Sequence, residues 1–302
     1  MRKRVSLAGQ TFVLGTSERM PETPDASVQL IITSPPYWNL KDYGSESQIG
    51  HSSYPDYLAR LATVWDECYS KSEANGVLVV NVNSRRHQKR FYPIAFDIAR
   101  TIRGWHLWDV VIWYVPNALP QPNHYMERLF DNKFEYLLVF TKGDPEAYKF
   151  HKPRVPQKYA QAEPRQHKKN ELGRCLGNVI RIPAYRPPNV KELGYHTAAF
   201  PEELVALFLH TFTDPADHVL DPFLGSGTVL KVCRVMGRSG IGYEINPDYE
   251  DLIRQRTAEH WEVPDWKTID ILHSTTMDVG RDAPRKVHFM RQHQDQQLTM
   301  LR

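Results

Sequence analysis

A short proline-containing motif could hold a planar substrate. Residues 34–37 read Ser-Pro-Pro-Tyr and follow the apolar, β-prone run at 28–32. Two consecutive prolines end a strand abruptly, because proline has no backbone N–H and restricts the residue before it. The motif therefore predicts a stiff turn that carries a hydroxyl group and an aromatic ring. In open α/β sheets this strand edge binds ligands, although these four residues alone favour an ordinary proline-rich loop.

A second motif, far downstream, has the outline of a nucleotide-binding unit. Strand 218–221 leads into a glycine-containing turn and a helix, and the next strand ends at Glu244, 19 residues beyond Gly225. Glycines let the backbone approach a ligand, and a carboxylate at the second strand end accepts hydrogen bonds from both ribose hydroxyls. The pyrophosphate-binding pattern Gly-x-Gly-x-x-Gly is absent from the sequence. Asp221 at the strand tip would repel a phosphate and favour a cation, so the pattern points to S-adenosylmethionine.

The remaining pattern predicts the fold class. Strands are predicted at 10–16, 28–32, 77–82, 108–115, 134–141, 218–221 and 240–244, and helices at 54–72, 92–104, 248–260 and after residues 200 and 228. Alternating strands and helices indicate an α/β fold with a doubly wound, mostly parallel sheet covered on both faces. Asn75-Gly76 is expected to end the first helix. Trp105, Trp108 and Trp113 are expected in the core, and Asn81 and Asn83 either line the ligand pocket or cap a helix.

Composition excludes several classes of protein. The 302 residues are 41% hydrophobic and 24% charged, which suits one large or two modest globular domains. No apolar run reaches membrane-spanning length, and the basic N-terminus lacks a signal-peptide core, so we expect a cytoplasmic protein without a membrane partner. Three scattered cysteines and histidines without ligand spacing predict neither disulfides nor a metal site.

Positive charge is concentrated in one stretch. Between Lys149 and Lys191 there are 11 Lys or Arg residues and two Glu, so the net charge of this stretch is about +9. The whole chain has a net charge of +3, so the remainder carries about −6. Such a stretch is either a solvated insertion or a surface that neutralises phosphates. Its place inside an otherwise acidic α/β chain favours nucleic acid. The predicted DNA-binding residues are Lys152, Arg154, Lys158, Arg165, Lys168, Lys169 and Arg174.

The two motifs together resemble those of the exocyclic-amino DNA methyltransferases. In that family an Asp/Asn/Ser-Pro-Pro-Tyr/Phe motif is catalytic, which residues 34–37 match, and residues 221–228 match the cofactor motif. The order of catalytic motif, basic region and cofactor motif is similar to the family's beta class. Residues 196–204 resemble the stretch before the cofactor motif, usually His-Pro-Ala-x-Phe-Pro, with Thr197 in place of proline.

This resemblance, over roughly residues 10–260, implies a Rossmann-like S-adenosylmethionine-dependent methyltransferase fold with a basic target-recognition insertion. The implied catalytic residues are Ser34, Pro35, Pro36 and Tyr37. The implied cofactor-binding residues are Thr33, His196, Ala198, Phe200, Asp221, Pro222, Phe223, Gly225, Ser226, Gly227, Thr228, Glu244, Ile245 and Asn246. The predicted organisation is a catalytic half at 1–142, a target-recognition region at 143–192, a cofactor-binding half of the same domain at 193–262 and a C-terminal extension at 263–302.

The chemistry of the target explains these roles. An exocyclic amine is a poor nucleophile, since its lone pair is delocalised into the ring, and the base must be swung out of the duplex to be reached. The Ser34 hydroxyl and the Pro35 carbonyl are candidate acceptors of the amine N–H groups, and Tyr37 is the candidate stacking ring. Ring-carbon methylation needs a cysteine normally preceded by proline, which none of the three cysteines has.

The residue before the two prolines indicates the base. In the resembled family Ser at this position tends to accompany cytosine N4, and Asp or Asn tends to accompany adenine N6. The sequence therefore predicts a sequence-specific, bacterial or phage-type cytosine-N4 methyltransferase acting on double-stranded DNA, with an adenine-N6 enzyme or a catalytically inactive DNA-binding module as alternatives. A homodimer and a cognate restriction endonuclease fit such a protein, and the sequence decides neither.

Overall fold

The strands and helices follow one another in an α/β order. The computed structural model describes residues 2–38, 48–118, 128–155, 174–184 and 201–264. Its helices are α1 (Tyr54–Lys71), α2 (Ile94–Thr101), α3 (Glu202–Phe212), α4 (Thr228–Val235) and α5 (Glu250–Ala258). Its strands are β1 (Lys3–Leu7), β2 (Gln10–Leu14), β3 (Val28–Thr33), β4 (Ser72–Val82), β5 (Arg85–His87), β6 (Arg90–Tyr92), β7 (His106–Tyr114), β8 (Phe134–Thr141), β9 (Arg154–Val155), β10 (Arg174–Cys175), β11 (Val179–Arg181), β12 (His218–Asp221) and β13 (Ser239–Glu244).

Nine of these strands form one twisted sheet in the order β1-β2-β13-β12-β3-β4-β8-β7-β11. The run from β2 to β4 is parallel, as is the pair β7 and β11. Strand β8 is antiparallel to both its neighbours, and β1 is antiparallel to β2. The prediction of a doubly wound, mostly parallel α/β sheet is confirmed. No helix in the described ranges is long and apolar enough to cross a membrane.

The central strands are buried on both faces because helices cover each side. Every residue of β3 is buried. Along β4 the side chains alternate, so that Leu78 belongs to the core cluster built with α1 and α2, and Val79 belongs to the cluster built with α3 and α4. This double burial explains why both strands read as continuous apolar runs in the sequence.

The expected end of the first helix is wrong. Helix α1 ends at Lys71, and Asn75 and Gly76 lie inside β4. A Cβ atom at Gly76 would lie 3.1 Å from the Val28 carbonyl oxygen, where the pairing of β3 with β4 shifts register. Gly76 therefore allows two strand backbones to approach each other. In the sequence, a glycine with this role looks the same as a glycine that ends a helix.

One of the three tryptophans also departs from expectation. Trp105 and Trp113 are buried, whereas Trp108 is 48% exposed near the start of β7. Its indole N–H donates to the Tyr148 hydroxyl at 2.8 Å. The indole is therefore held at the surface by a polar partner, and the prediction of a core position for Trp108 is wrong.

Part of the predicted target-recognition region belongs to the main sheet. Strand β11 pairs in parallel with β7, and Ile180 and Ile182 are buried in the same core cluster as α3 and α4. Strands β9 and β10 pair only with each other within the described residues. The described part of 143–192 thus packs on the main sheet through β11, and the outer bounds of the region stay a prediction.

Truncation of Ile180 tests this attachment. Ile180→Ala removes a side chain that is 4% exposed, and we expect about 2–5 kcal/mol of destabilisation from the lost burial and the resulting cavity. Val179→Ala, on the same strand but 59% exposed, should change stability by less than about 0.5 kcal/mol. Urea unfolding measures both. Equal effects of the two substitutions would show that β11 is not part of the folded core.

Candidate functional site

The two sequence motifs meet at one edge of the sheet. Strands β13, β12 and β3 are neighbours and run parallel, so their carboxyl ends lie side by side. Each end carries a polar residue, namely Glu244, Asp221 and Thr33. A cavity opens in front of them. It is lined by Gly15, Thr16, Ser17, Ser34, Pro35, Pro36, Tyr37, Gln48, Ile49, Asp221, Pro222, Phe223, Leu224, Gly225, Ser226, Thr228, Tyr243, Glu244 and Ile245.

A buried hydrogen bond joins the two motifs. The Thr33 hydroxyl donates to Asp221 Oδ1 at 2.6 Å, and the Phe223 backbone N–H donates to the same oxygen at 3.0 Å. Asp221 is 2% exposed. Burial raises the pKa of its carboxyl group to about 7, while the two donors act in the opposite direction. Thr33 itself does not line the cavity, so it acts on the site by holding Asp221.

Glu244 is fixed by backbone groups. The Gly225 N–H donates to Oε2 and the Asn246 N–H donates to Oε1, each at 2.8 Å. Burial raises the pKa of the Glu244 carboxyl to about 7, and the negative charge of Asp221 adds to this effect. A carboxylate offers about four acceptor positions, so Glu244 can still accept hydrogen bonds from two further donors in the cavity.

The glycine-containing turn packs directly on β13. The Leu224 N–H donates to the Tyr243 carbonyl at 2.8 Å, and a Cβ atom at Gly242 would lie 2.7 Å from Leu224 Cδ1. Gly227 has φ +89°, a conformation that side chains disfavour, immediately before α4. This close packing brings the turn backbone within reach of Glu244 and explains the spacing between Gly225 and that residue.

The Ser-Pro-Pro-Tyr motif presents two unengaged acceptors to the same cavity. The Pro36 carbonyl accepts a hydrogen bond from the Tyr57 hydroxyl at 2.9 Å, which anchors the turn to α1. Within the described parts of the chain, no hydrogen bond engages the Ser34 hydroxyl or the Pro35 carbonyl. Ser34 and Pro35 both line the cavity, so their acceptors are available to a ligand that carries N–H donors.

The charge of the cavity suits a cationic ligand. Its lining contains the carboxyl groups of Asp221 and Glu244, and no Lys or Arg is among the described residues that form it. A phosphate would meet two acids and no counter-charge there. The described ranges also contain no group of three His, Cys, Asp or Glu side chains arranged to hold a metal ion.

Several residues expected at the site lie elsewhere or outside the described ranges. The Asn246 side chain caps the short turn that precedes α5, by accepting from the Asp248 N–H at 2.9 Å. Gly227 and Asn246 do not line the cavity. Lys152 and Arg154 are exposed near β9. Seven other expected residues lie outside the described part of the chain: His196, Ala198, Phe200, Lys158, Arg165, Lys168 and Lys169. The side chain of Arg174 lies outside it as well.

Comparison with known proteins gives the family. Residues 28–255 match the model of the DNA methylases of the N6/N4 type. The chain belongs to this DNA methylase family. Two similar relatives are Type II methyltransferase M.XycI of Xanthomonas campestris pv. cyanopsidis, 31% identical, and Type II methyltransferase M.Cfr9I of Citrobacter freundii, 30% identical; each alignment covers 77% of this chain and 82% of the relative.

Solved structures share the fold of this DNA methylase. The PvuII cytosine-N4-specific DNA methyltransferase is 21% identical with a TM-score of 0.67, over 89% of this chain and 93% of its own. A protein from Thermus thermophilus, solved in complex with S-adenosyl-L-methionine, is 27% identical with a TM-score of 0.56, over 81% and 91%. The Rossmann-like methyltransferase fold implied by the motifs is thereby confirmed.

A third carboxylate of the methylase contacts Tyr37, which lines the cavity, and was not predicted from the sequence. Glu135 lies on β8, and its Oε2 accepts hydrogen bonds from the Asn81 amide at 2.8 Å and from the Tyr37 hydroxyl at 3.2 Å. Burial raises the pKa of the Glu135 carboxyl, against the effect of these two donors. The ring of Tyr37 is thus fixed at its hydroxyl end, and Asn81 serves this network rather than a helix cap.

The only sequence signal for Glu135 is one acid in an otherwise apolar and aromatic strand. Because β8 is antiparallel to β4, its first residues lie at the carboxyl edge of the parallel strands. Sequence alone does not give that direction, so the acid could not be placed beside Tyr37.

The three-residue network can be tested through its acceptor. Glu135→Ala leaves the Tyr37 hydroxyl and the Asn81 amide without their shared partner, so we expect kcat for methyl transfer to fall about tenfold to a hundredfold through misplacement of the ring. Glu135→Gln keeps a carbonyl acceptor and should retain most activity. Glu146→Ala, an exposed acid beyond the end of β8, is the control. Unchanged kcat in Glu135→Ala would remove the network from the function.

The raised pKa of Asp221 predicts a pH-dependent stability. A carboxyl group whose pKa is higher in the folded state favours folding while it is protonated, and this contribution is lost as pH rises from about 4 to 7. Asp221→Asn cannot ionise. We therefore expect the variant to gain stability relative to the unsubstituted chain as pH rises through this window, in thermal unfolding without ligand. A stability difference that is constant with pH would contradict the assignment.

Proposed function

We propose that this chain is a sequence-specific DNA methyltransferase that transfers a methyl group from S-adenosylmethionine to N4 of a cytosine swung out of the duplex. The observation that carries the proposal is the pairing of two unengaged acceptors, Ser34 and Pro35, with the Asp221 and Glu244 carboxyl groups in one cavity. The two acceptors suit an amine, and the two carboxyl groups suit a cationic cofactor.

S-adenosylmethionine is the cofactor. The residues of the cavity fit it, because the ligand has ribose hydroxyls to donate, a positive charge and no phosphate. Glu244 keeps acceptor positions for the two hydroxyls after binding Gly225 and Asn246. Asp221 supplies the negative charge, and Phe223 and Ile245 supply apolar walls. The cofactor brings a methyl group activated by its sulfonium.

Ser34 and Pro35 have the chemistry to orient the target amine. Acceptors that bind both N–H groups favour a pyramidal nitrogen, whose lone pair then points away from the ring and toward the methyl group. The chain supplies proximity and alignment for this step rather than a covalent intermediate. Tyr37, held by Glu135, offers its ring as the surface on which the base stacks.

The hydroxyl at position 34 supports cytosine as the target. The ring nitrogen beside the amine is more basic in cytosine than in adenine, and a neutral acceptor suits that base. Methylation of a ring carbon would need a reactive thiol. Cys68 and Cys233 are buried, burial raises the pKa of both thiols, and neither lines the cavity.

The basic region at 143–192 is proposed as the target-recognition region, between a catalytic half at 1–142 and a cofactor-binding half at 193–262. Its net charge of about +9, counted from Lys149 to Lys191, matches a polyanionic partner. The relatives named Type II methyltransferases support a role in restriction-modification. Double-stranded DNA is accordingly the proposed substrate.

Methylated DNA identifies the base directly. Cells that express the chain should contain N4-methylcytosine in one sequence context, which nucleoside mass spectrometry and sequencing of modified bases detect. N6-methyladenine in its place would assign the adenine alternative. Cofactor binding without methyl transfer to any DNA would indicate an inactive DNA-binding module.

Ser34→Ala tests the amine-binding role. We expect kcat to fall about a hundredfold, the typical effect of removing one preorganised hydrogen-bond partner, with cofactor affinity unchanged by calorimetry. Asp221→Ala should instead lose cofactor binding. Ser27→Ala, at the other end of β3 with its hydroxyl bonded to the Pro24 carbonyl, is the matched control. Full activity of Ser34→Ala would exclude its hydroxyl from the mechanism.

A further inference from the structure

A second concentration of positive charge lies outside the basic region found from the sequence. Strands β5 and β6 form a two-stranded antiparallel sheet of their own. We call residues 85–92 (Arg-Arg-His-Gln-Lys-Arg-Phe-Tyr) the basic hairpin. It carries four Lys or Arg residues and no acid. Arg86, Lys89 and Arg90 are exposed, and no described residue forms an ion pair with them.

The basic hairpin has a defined shape. Gln88 and Lys89, the two residues of its turn, have φ of +47° and +65°, as a tight two-residue hairpin turn requires. The Arg86 guanidinium lies over the Phe91 ring, 5.3 Å from its centre, and the Arg90 guanidinium lies 5.5 Å from the centre of the Tyr92 ring. The rings restrain the arginine stems, so less freedom is lost when their guanidinium groups bind a ligand.

The basic hairpin is fixed beside the Ser-Pro-Pro-Tyr motif. It begins just after β4, whose end carries Asn81 of the Glu135 network. Arg85 donates to the Trp38 carbonyl at 2.5 Å. Trp38 directly follows Tyr37 in the chain. Its ring packs edge-on against His87, with 5.4 Å between ring centres, and at a tilt against Tyr92, with 4.5 Å between ring centres. The hairpin and the motif therefore form one packed unit at the same edge of the sheet.

This arrangement suits a polyanion that passes over the site. The described lining of the cavity contains acids and no Lys or Arg, whereas the exposed guanidinium and ammonium groups belong to the hairpin that packs against Trp38, next to the motif. Phe91 is 49% exposed beneath Arg86, which gives the hairpin an apolar surface as well as charge. A nucleic-acid backbone needs phosphate contacts that fix its position relative to the reading site.

We propose that the basic hairpin binds the phosphates of duplex DNA that flank the target base, through Arg86, Lys89 and Arg90, and so sets the position of that base over Ser34. The placement next to the target base rests on the proposed function. Binding of DNA by the hairpin does not, because it can be measured without methyl transfer.

The test replaces the three exposed cations together. Arg86→Gln/Lys89→Gln/Arg90→Gln is compared with the unsubstituted chain by fluorescence anisotropy on a labelled duplex of mixed sequence, over a range of salt concentrations. We expect the slope of log affinity against log salt to fall by about 2 to 3, since each phosphate contact contributes about 0.9. Affinity at moderate salt should fall at least about tenfold, and calorimetric affinity for S-adenosylmethionine should not change.

Two control variants distinguish the effect of positive charge on the basic hairpin from the effect of positive charge elsewhere on the surface. Arg100→Gln/Arg103→Gln removes exposed cations near the far end of α2 and should leave affinity and slope close to those of the unsubstituted chain. Lys89→Arg/Arg90→Lys keeps the charge of the hairpin and should retain binding. An unchanged slope in the triple variant, or an equal loss in the Arg100/Arg103 variant, overturns the proposal even if the unsubstituted chain methylates DNA.

A cleavage experiment tests the placement. Lys89→Cys, labelled with an iron-chelate cleavage reagent, should cut DNA within a few nucleotides of the base methylated by the unsubstituted chain. The unsubstituted chain, treated with the same reagent, gives the background from the native cysteines. Cleavage centred far from the methylated base overturns the proposed position, and absence of methylation by the unsubstituted chain counts against the proposed function alone.

Discussion

The hydrogen bond from Thr33 to Asp221 is the contact on which the site depends, because it joins two motifs that lie 188 residues apart in the chain. It forms only because β3 and β12 are parallel neighbours whose last residues lie at the same edge. Ser34 follows Thr33 and Phe223 follows Asp221 by two residues, so this one bond fixes the relation between the proposed acceptors for the amine and the walls of the proposed cofactor pocket. The sheet order, with β12 between β3 and β13, places Glu244 one strand further along. The fold thus determines the distance between the two proposed binding positions before any ligand is present.

Charge is divided between the inside and the outside of the site. The cavity contains acids and neutral acceptors, and Lys or Arg is absent from its described lining. The basic hairpin and the exposed Lys152 and Arg154 lie outside it. A small total charge of +3 therefore conceals a strong local separation. Such a separation allows one surface to attract phosphates while the pocket behind it selects a ligand that has none.

The sequence predicted the elements with strong apolar patterns and missed features that depend on strand direction. The strands at 134–141 and 218–221 were predicted with the bounds that the structure has. Both motifs were placed at the correct strand ends, because parallel neighbours bring their carboxyl ends together. Glu135 was missed, since its place follows from an antiparallel strand inside a mostly parallel sheet. The basic hairpin was missed for a different reason: its charged residues lack the alternation of polar and apolar residues that signals a strand. Gly76 was misread, because close approach of two strands and the end of a helix both call for glycine.

The hydrogen-bond partners of the carboxylates differ between an acid that only stabilises the fold and the acids at the candidate site. Glu202 is buried and binds the cations of Lys231 and Arg256, each at 3.0 Å, so its charge is neutralised within the fold. Asp221, Glu244 and Glu135 are held in the described structure by a hydroxyl, backbone N–H groups and an amide, which orient a carboxylate without neutralising it. Burial of an acid with neutral partners is unfavourable for folding alone, and their raised pKa values record that cost. A lysine or arginine beside Asp221 would relieve the cost, yet it would also occupy the acceptor and repel a cationic cofactor. For the proposed cationic cofactor, the neutral donors therefore preserve the charges of Asp221 and Glu244, and we expect binding to offset the instability of the free chain.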